Sequence, residues 1–239
     1  MMRVALLIAL MCLGACATTD EVDPYEKFNR SMFAVNRFGD KIIYKPVGKA
    51  YKKVIPSFAR KGVNNFFDNL TTPRSALNNF LQGKPGRGFN ELARFAFNST
   101  LGLAGLFDIA ASGGMERYDE DFSQTLAVWG VPEGPYLVIP IWGPRTVLST
   151  VSIPVDFTTD LQRYIEPTGL RDRLYILRLI DTRSRLLTTE TILNKSQDPY
   201  IAFREAYLQN RQFNIYDGNP QVDDDFYYFE EDEFEEEEE

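Results

Sequence analysis

Side-chain chemistry in a chain of this length usually starts from histidine or cysteine, and both are nearly missing here. The 239 residues include no histidine and only two cysteines, Cys12 and Cys16. That removes Ser-His-Asp and Cys-His nucleophilic sites, and histidine-ligated metals. No GxSxG elbow, P-loop, dinucleotide fingerprint or CxxC pair is present either. Carboxylates remain. Two of them can hydrolyse a glycoside, so Glu26, Asp108, Asp119, Glu120 and Asp121 are the residues to weigh. Nothing in their spacing pairs them in space. Asp119-Glu120-Asp121 before Phe122 reads more simply as a helix N-terminus, where acids meet the positive end of the dipole. The sequence therefore predicts a protein that is not an enzyme and holds no metal or cofactor.

The cysteines point to a different chemistry. Residues 1–15 run Met-Met-Arg and then an apolar stretch, Val4–Ala15, ending in small residues before Cys16. A positive start, a short apolar region and a small-residue cleavage site make a secretory signal, too short to span a membrane. Leu13-Gly14-Ala15-Cys16 also resembles a bacterial lipobox, in which cleavage precedes the cysteine and its sulfur receives diacylglycerol. Cys16 is then the lipid anchor, Cys12 leaves with the leader, and an exported protein can be cysteine-poor without a disulfide. Several acyl chains make such an anchor stable where one does not. Ala17 after the cysteine resembles the signal for sorting to the outer membrane, and residues 16–22 form an acylated tether.

The formal charge of −8 misdescribes the body. Between residues 223 and 239, Asp and Glu fill all but five positions, and the rest of the chain carries about +4. Residues 218–239 read as a disordered acidic tail. Its interleaved Phe226, Tyr227, Tyr228, Phe229 and Phe234 leave two readings open, solvated filler or an adhesive segment for a basic partner. The basic residues concentrate between 41 and 61, where Lys41, Lys45, Lys49, Lys52, Lys53, Arg60 and Lys61 stand with no acid among them. Lys45, Lys49, Lys52 and Lys53 are candidates for phosphate headgroups or an anionic membrane surface. An ordinary solvated face is the alternative. No nucleic-acid-reading motif accompanies them.

These residues need elements to position them, and the pattern is helical. Phe28, Met32 and Val35 recur with a helical period. Thr72-Pro73 reads as a cap followed by a first-turn proline, opening a helix that carries Leu77, Phe80 and Leu81 and stops at Gly83. Residues 170–193 repeat the helical spacing through Leu170, Leu174, Leu177, Ile180, Leu187 and Ile192. Asp198-Pro199 opens another helix, with Tyr200, Phe203 and Tyr207 on one face. Val138–Ile141 is the best short extended piece, and Pro135, Pro140 and Pro144 keep it from a sheet centre. The prediction is an all-α fold, a single helical domain over residues 23–217. No uncharged run in the body reaches the length of a spanning helix; the longest, Phe95–Phe107, stops at Asp108.

Two stretches fit an ordinary core poorly. Residues 95–114 are small, apolar and rich in glycine, and residues 126–144 set Trp129, Tyr136 and Trp142 among glycines and prolines. Buried core is one reading. The other is a membrane interface, where such aromatic residues settle and a segment lies in one leaflet without crossing it.

In order along the chain, the body carries a recognisable series. It begins with Asp23-Pro24-Tyr25-Glu26 and Phe28-Asn29-Arg30, with Phe33 and Asn36, then Asn64-Asn65-Phe66, Asn69-Leu70 and Asn79-Phe80-Leu81-Gln82-Gly83. It continues with Arg94-Phe95, Asn98-Ser99-Thr100-Leu101-Gly102, Gly105-Leu106-Phe107-Asp108 and Asp121-Phe122-Ser123-Gln124-Thr125-Leu126. Gly134-Pro135-Tyr136, Gly143-Pro144, Asp198-Pro199-Tyr200 and Arg204-Glu205-Ala206-Tyr207 complete it. The set resembles the MlaA (VacJ) family of outer-membrane lipoproteins over residues 23–213. One departure is that Arg145-Thr146-Val147-Leu148 follows Gly143-Pro144, where many members place an Arg-Asp pair.

The resemblance implies a non-enzymatic lipoprotein on the periplasmic side of a Gram-negative outer membrane. It implies a helical ring in one leaflet around an amphipathic channel, beside trimeric porins. Phospholipids misplaced in the outer leaflet would pass through it to a soluble periplasmic carrier feeding an inner-membrane ABC transporter, which maintains lipid asymmetry. Moving a phospholipid needs apolar surface for acyl chains and polar donors for phosphate. Phe33, Asn36, Asn98, Ser99, Thr100, Asp121 and Tyr136 are the lipid-path candidates; helix capping or a satisfied core amide is the alternative role for the polar ones. A second functional class stays open, a lipid-anchored scaffold that tethers a periplasmic partner through the acidic tail.

Overall fold

A computed structural model describes residues 22–220. The leader, the acylation site at Cys16 and the acidic tail from residue 221 onward lie outside the described residues. Within them the chain is helical, with one short antiparallel hairpin. Helix α1 (Glu26–Gly39) passes through a π-helical segment (Asp40–Tyr44) into α2 (Lys45–Val54). Two longer helices follow, α3 (Ser57–Leu81) and α4 (Pro85–Thr100), packed against each other. After α4 come a tight turn, the short α5 (Ile109–Ser112) and α6 (Phe122–Val128). Strands β1 (Tyr136–Ile139) and β2 (Gly143–Thr146) pair with Tyr136 opposite Thr146 and Ile139 opposite Gly143. Short helices α7 (Val147–Val151) and α8 (Ile153–Thr159) lead by a 3-10 turn (Leu161–Tyr164) to α9 (Thr168–Leu193) and α10 (Pro199–Ile215). No helix among the described residues is long and apolar enough to cross a membrane.

Local chemistry explains most boundaries. Asp121 caps α6 in a reciprocal capping box with Gln124, and Asp198 accepts from Tyr200 N and Ile201 N at the start of α10. The acids before Phe122 are thus a helix start. Thr72-Pro73 is not: α3 runs through it, with Pro73 inside the helix. Proline in a helix interior leaves the carbonyl four residues back, here that of Asn69, without its helical donor; one residue earlier Thr71 and Thr72 both turn their hydroxyls onto the carbonyl of Asp68, at 2.8 and 3.1 Å. The expected helix start at Thr72-Pro73 is thus corrected to the interior of a continuous helix. Gly83, with φ of 74°, ends it as expected.

Candidate functional site: a polar interior beneath apolar tips

Burial is inverted in this molecule. Among the described residues eight apolar side chains are buried, against twenty-three polar or charged ones, while thirty-three large apolar side chains are exposed. A body that faces water on all sides shows the reverse, and contiguous exposed apolar surface marks a place of contact with protein or lipid. Fourteen of these exposed groups fall in three stretches. One is the turn after α4, with Leu101, Leu103, Leu106 and Phe107. Another holds Ile141 and Trp142 at the tip of the hairpin, with Trp129 and Val131 before it. The third runs from Phe38 through Ile42, Ile43, Val47 and Val54 to Phe58.

The first tip stands on charged groups. Arg94, on the inner face of α4, donates from Nη2 to both Asp108 oxygens at 3.0 and 2.9 Å, and from Nη1 to the carbonyl of Met115. One turn along α4, Asn98 donates to Asp108 at 2.9 Å and accepts from Ala110 N at 3.0 Å. Burial alone would raise the Asp108 carboxyl; the Ala111 amide, Asn98 and Arg94 outweigh it and hold it below its ordinary value. Glu91, also buried, accepts from Tyr118 N at 2.8 Å, and burial pushes its carboxyl up despite that bond and Arg94. From α3, Asn69 donates to Ser99 Oγ at 2.9 Å and Asn65 to the carbonyl of Leu106 at 3.2 Å. The turn itself is tight. A Cβ on Gly102 would stand 2.2 Å from the Phe107 carbonyl oxygen, and Leu103 and Ala104 take φ of 51° and 58°.

The second tip stands on amides. Asn29, fully buried on α1, donates to the carbonyl of Tyr136 at 3.0 Å and accepts from Val138 N at 2.8 Å. Two turns along the same face, Asn36 donates to the carbonyl of Ile139 at 2.9 Å and accepts from Ile141 N at 2.7 Å. The pair binds β1 to α1 as a neighbouring strand would, from the i, i+7 spacing of one helix face. Asn29 also donates to Asp23 at 2.7 Å, and Asp23 accepts from the Tyr200 hydroxyl. Tyr200 meets Phe33 edge-on at 5.5 Å between ring centroids. Burial, and then the Asp23 carboxylate, raises both the Tyr136 and Tyr200 phenols above their ordinary value. On the other side of Tyr136 is an open cavity of about 400 Å³, lined also by Glu133, Thr146, Leu208 and Arg211. Arg211 donates to Glu133 at 2.9 Å and lies 3.7 Å from Asp121.

The predicted residues fall into separate groups. Phe33, Asn36 and Tyr136 come together where α1, the hairpin and α10 meet. Asn98, Ser99 and Thr100 close α4 beneath the first tip, and Thr100 turns its hydroxyl to the carbonyl of Ala96 at 2.6 Å. Asp121 is a helix cap that also faces Arg211. Lys45 is tied to Glu190 at 2.8 Å, whereas Lys49, Lys52 and Lys53 are exposed. Asn36 and Asn98 use both ends of their amides inside the protein, so their role here is to position backbone. Asp23, Asn29 and Arg94 entered the sequence reading only as members of the family series, with no role assigned, and Glu91 escaped it. The i, i+7 spacing of Asn29 and Asn36 was the available signal for one of them.

The model of the family described as MlaA lipoprotein matches residues 21–214. The intermembrane phospholipid transport system lipoprotein MlaA of Escherichia coli strain K12 is 36% identical over 219 residues, covering 87% of this chain and 86% of that protein. Its namesake in Haemophilus influenzae is 31% identical over 225 residues, covering 89% of each. A solved structure, reported as "Structural basis for maintenance of bacterial outer membrane lipid asymmetry", matches with a TM-score of 0.72 at 36% identity, over 81% of this chain and 98% of that one. On sequence and on fold alike, this chain belongs to the MlaA lipoprotein family.

Proposed function

We propose that the protein works in intermembrane phospholipid transport at the outer membrane of a Gram-negative bacterium. It removes phospholipids misplaced in the outer leaflet and passes them inward, which maintains lipid asymmetry. The observation that carries this reading is the inverted burial. A polar interior wrapped in exposed apolar side chains, with no helix among the described residues long enough to span, suits a body set into one leaflet. Acylation at Cys16 would hold residues 23–217 there from the periplasmic side.

The finer assignments extend this. The body forms a ring around an amphipathic channel, sits beside a trimeric porin, and hands lipid to a soluble periplasmic carrier that feeds an ABC transporter. The polar and aromatic groups around Tyr136 and its cavity, with Phe33 and Asp121 close by, and the end of α4 at Ser99 and Thr100 are the stretches of the path nearest the exposed tips. Deleting the gene is expected to raise outer-leaflet phospholipid and detergent sensitivity, both restored by the wild-type chain. Unchanged asymmetry in the deletion strain would sink the proposal. A chain lacking residues 223–239 should still restore it; failure there would favour a scaffold acting through the tail.

A further inference from the structure

Helix α2 lies along α9, and three contacts fix how it is turned about its own axis. Lys45 bonds Glu190, Gly48 rests over the backbone of Ser184, and Tyr51 donates to Asp181 at 3.1 Å. Along α2 the partners on α9 descend from 190 to 181, as antiparallel helices require. With that face committed to protein, the other residues divide between two flanks. Val47, Ala50 and Val54 follow one another at i, i+3 and i+7 on one flank, all exposed. They continue the apolar edge that begins at Ile42 and Ile43 in the π-helical segment and reaches Phe58, which is 78% exposed. Lys49 and Lys53 occupy the other flank, with Lys52 one turn beyond Gly48 at the border of the α9 face, and all three are exposed and without an ion pair among the described residues. The nearby acids are already taken, since Arg183 bonds both Asp40 and Glu190.

We infer that α2 is a seat for anionic phospholipid headgroups, lying in the plane of the leaflet with its apolar flank among the acyl chains and its lysine flank among the phosphates. A helix that divides in this way belongs at the boundary between headgroup and chain. Lysine suits the role because its aliphatic stem crosses apolar surface while the ammonium stays at the polar level. Three unneutralised cations side by side favour a lipid of net negative charge over a zwitterionic one, each contributing roughly a fivefold preference near the surface. Lys45 is not part of the seat; its bond to Glu190 positions it. The seat uses the membrane setting of the proposed function but requires no step of transport.

The test uses the full-length acylated protein, reconstituted in phosphatidylethanolamine vesicles with a minor share of phosphatidylglycerol, then gently extracted. Mass spectrometry of the retained lipid reads the enrichment of phosphatidylglycerol. The wild type should enrich it, and Lys49→Gln/Lys52→Gln/Lys53→Gln should cut that enrichment at least fivefold with unchanged circular dichroism and melting temperature. High salt should weaken the wild-type preference in the same direction. Lys27→Gln/Lys195→Gln, two exposed lysines elsewhere, should leave it unaltered. No enrichment by the wild type, no change in the triple variant, or an equal change in the control overturns the seat. An effect of the triple variant that vanishes when residues 223–239 are removed also overturns it, because the acidic tail is then what the lysines hold. Failure to restore lipid asymmetry in a deletion strain, with enrichment intact, strikes the transport reading and leaves the seat standing.

Discussion

The turn after α4 and the tip of the hairpin carry the same kind of side chain outward, but different groups support them from below. Beneath the turn, Arg94 joins Asp108, Glu91 and the Met115 carbonyl in a charged cluster. Beneath the hairpin, Asn29 and Asn36 bond to both donors and acceptors of β1. The turn has no strand partner, and its backbone includes two non-glycine residues with positive φ, so a strong and directional fastening is needed at its base. The hairpin already has its own ladder and needs only to be attached to α1 in the right register. An ionic base depends on every charge being present. An amide base loses its bonds one at a time.

That contrast sets the largest predicted effect. Arg94→Met should strand Glu91 and part of Asp108 in the interior and cost about 3–5 kcal/mol, as breaking a buried pair does. Asn29→Ala leaves the Tyr136 carbonyl and the Val138 amide without partners, at ~1–3 kcal/mol for each stranded group and less than their sum together. Thermal unfolding of the detergent-solubilised protein by near-ultraviolet circular dichroism measures both. Adding Asp108→Asn to Arg94→Met should recover part of the loss, because a neutral side chain no longer needs the guanidinium. A larger loss from Asn29→Ala than from Arg94→Met would reverse the comparison.

The two bases should also fail at opposite ends of the pH scale. Asp108 titrates below its ordinary 3.8 in the folded state, so its contribution is present above that value and is lost as the pH falls through the lower one. Glu91 opposes it, since burial raises its carboxyl above the ordinary 4.5 and its charge costs stability near neutrality. Glu91→Gln therefore removes one opposing contribution from the acid limb. In that variant the melting temperature should fall below pH 3.8, and the rise between neutrality and pH 4.5 should be smaller than in the wild type, with Glu120, Asp156 and Asp181, also raised by burial, supplying what remains. Under the hairpin, Tyr136 and Tyr200 have folded values raised above their ordinary 10.0, so their contribution is complete below pH 10.0 and is lost as the pH climbs toward the folded values. Tyr200→Phe should shallow that alkaline limb without touching the acid one.

Local parts of this arrangement are legible in the sequence, and long-range parts are not. The caps at Asp121 and Asp198 and the stop at Gly83 depend on neighbours within four residues, and all three stand as read. The short extended piece at Val138 became a hairpin, with Pro140 and Pro144 at its tip and on its second strand, where a missing donor does least harm. Pro73 misled because a proline's effect depends on whether its helix is held elsewhere, and α3 is packed along α4. Asn36 and Asn98 drew attention as polar groups beside aromatic ones. Their partners lie 103 residues away for Asn36 and ten to twelve for Asn98, and only the fold shows that both amides are already spent. The two stretches that read as unlike core divide: the turn after α4 and the residues around Trp129 and Trp142 are exposed, whereas Tyr136 and Val138 lie in the core, a split that composition alone does not show.

The smallest effect concerns how the hairpin end is set in the leaflet, and the only two tryptophans of the chain, Trp142 at its tip and Trp129 before it, report on it. Trp129 is 55% exposed, yet its indole N–H already donates to the Leu81 carbonyl at 3.0 Å, so its ring has no polar need left to keep it near water. Trp142 is 54% exposed and has the Arg145 guanidinium 5.7 Å from its ring centroid. That cation belongs among phosphates, and it should hold Trp142 at headgroup level. Single-tryptophan proteins, Trp142→Phe and Trp129→Phe, reconstituted with phospholipids brominated near the ester or near the chain end, read each depth separately. Trp129 should be quenched more by the deep bromines and Trp142 more by the shallow ones. Equal profiles would mean that the two rings share one depth, and the absence of quenching at both would place the hairpin end outside the lipid and leave the turn after α4 as the only one of the two tips in it.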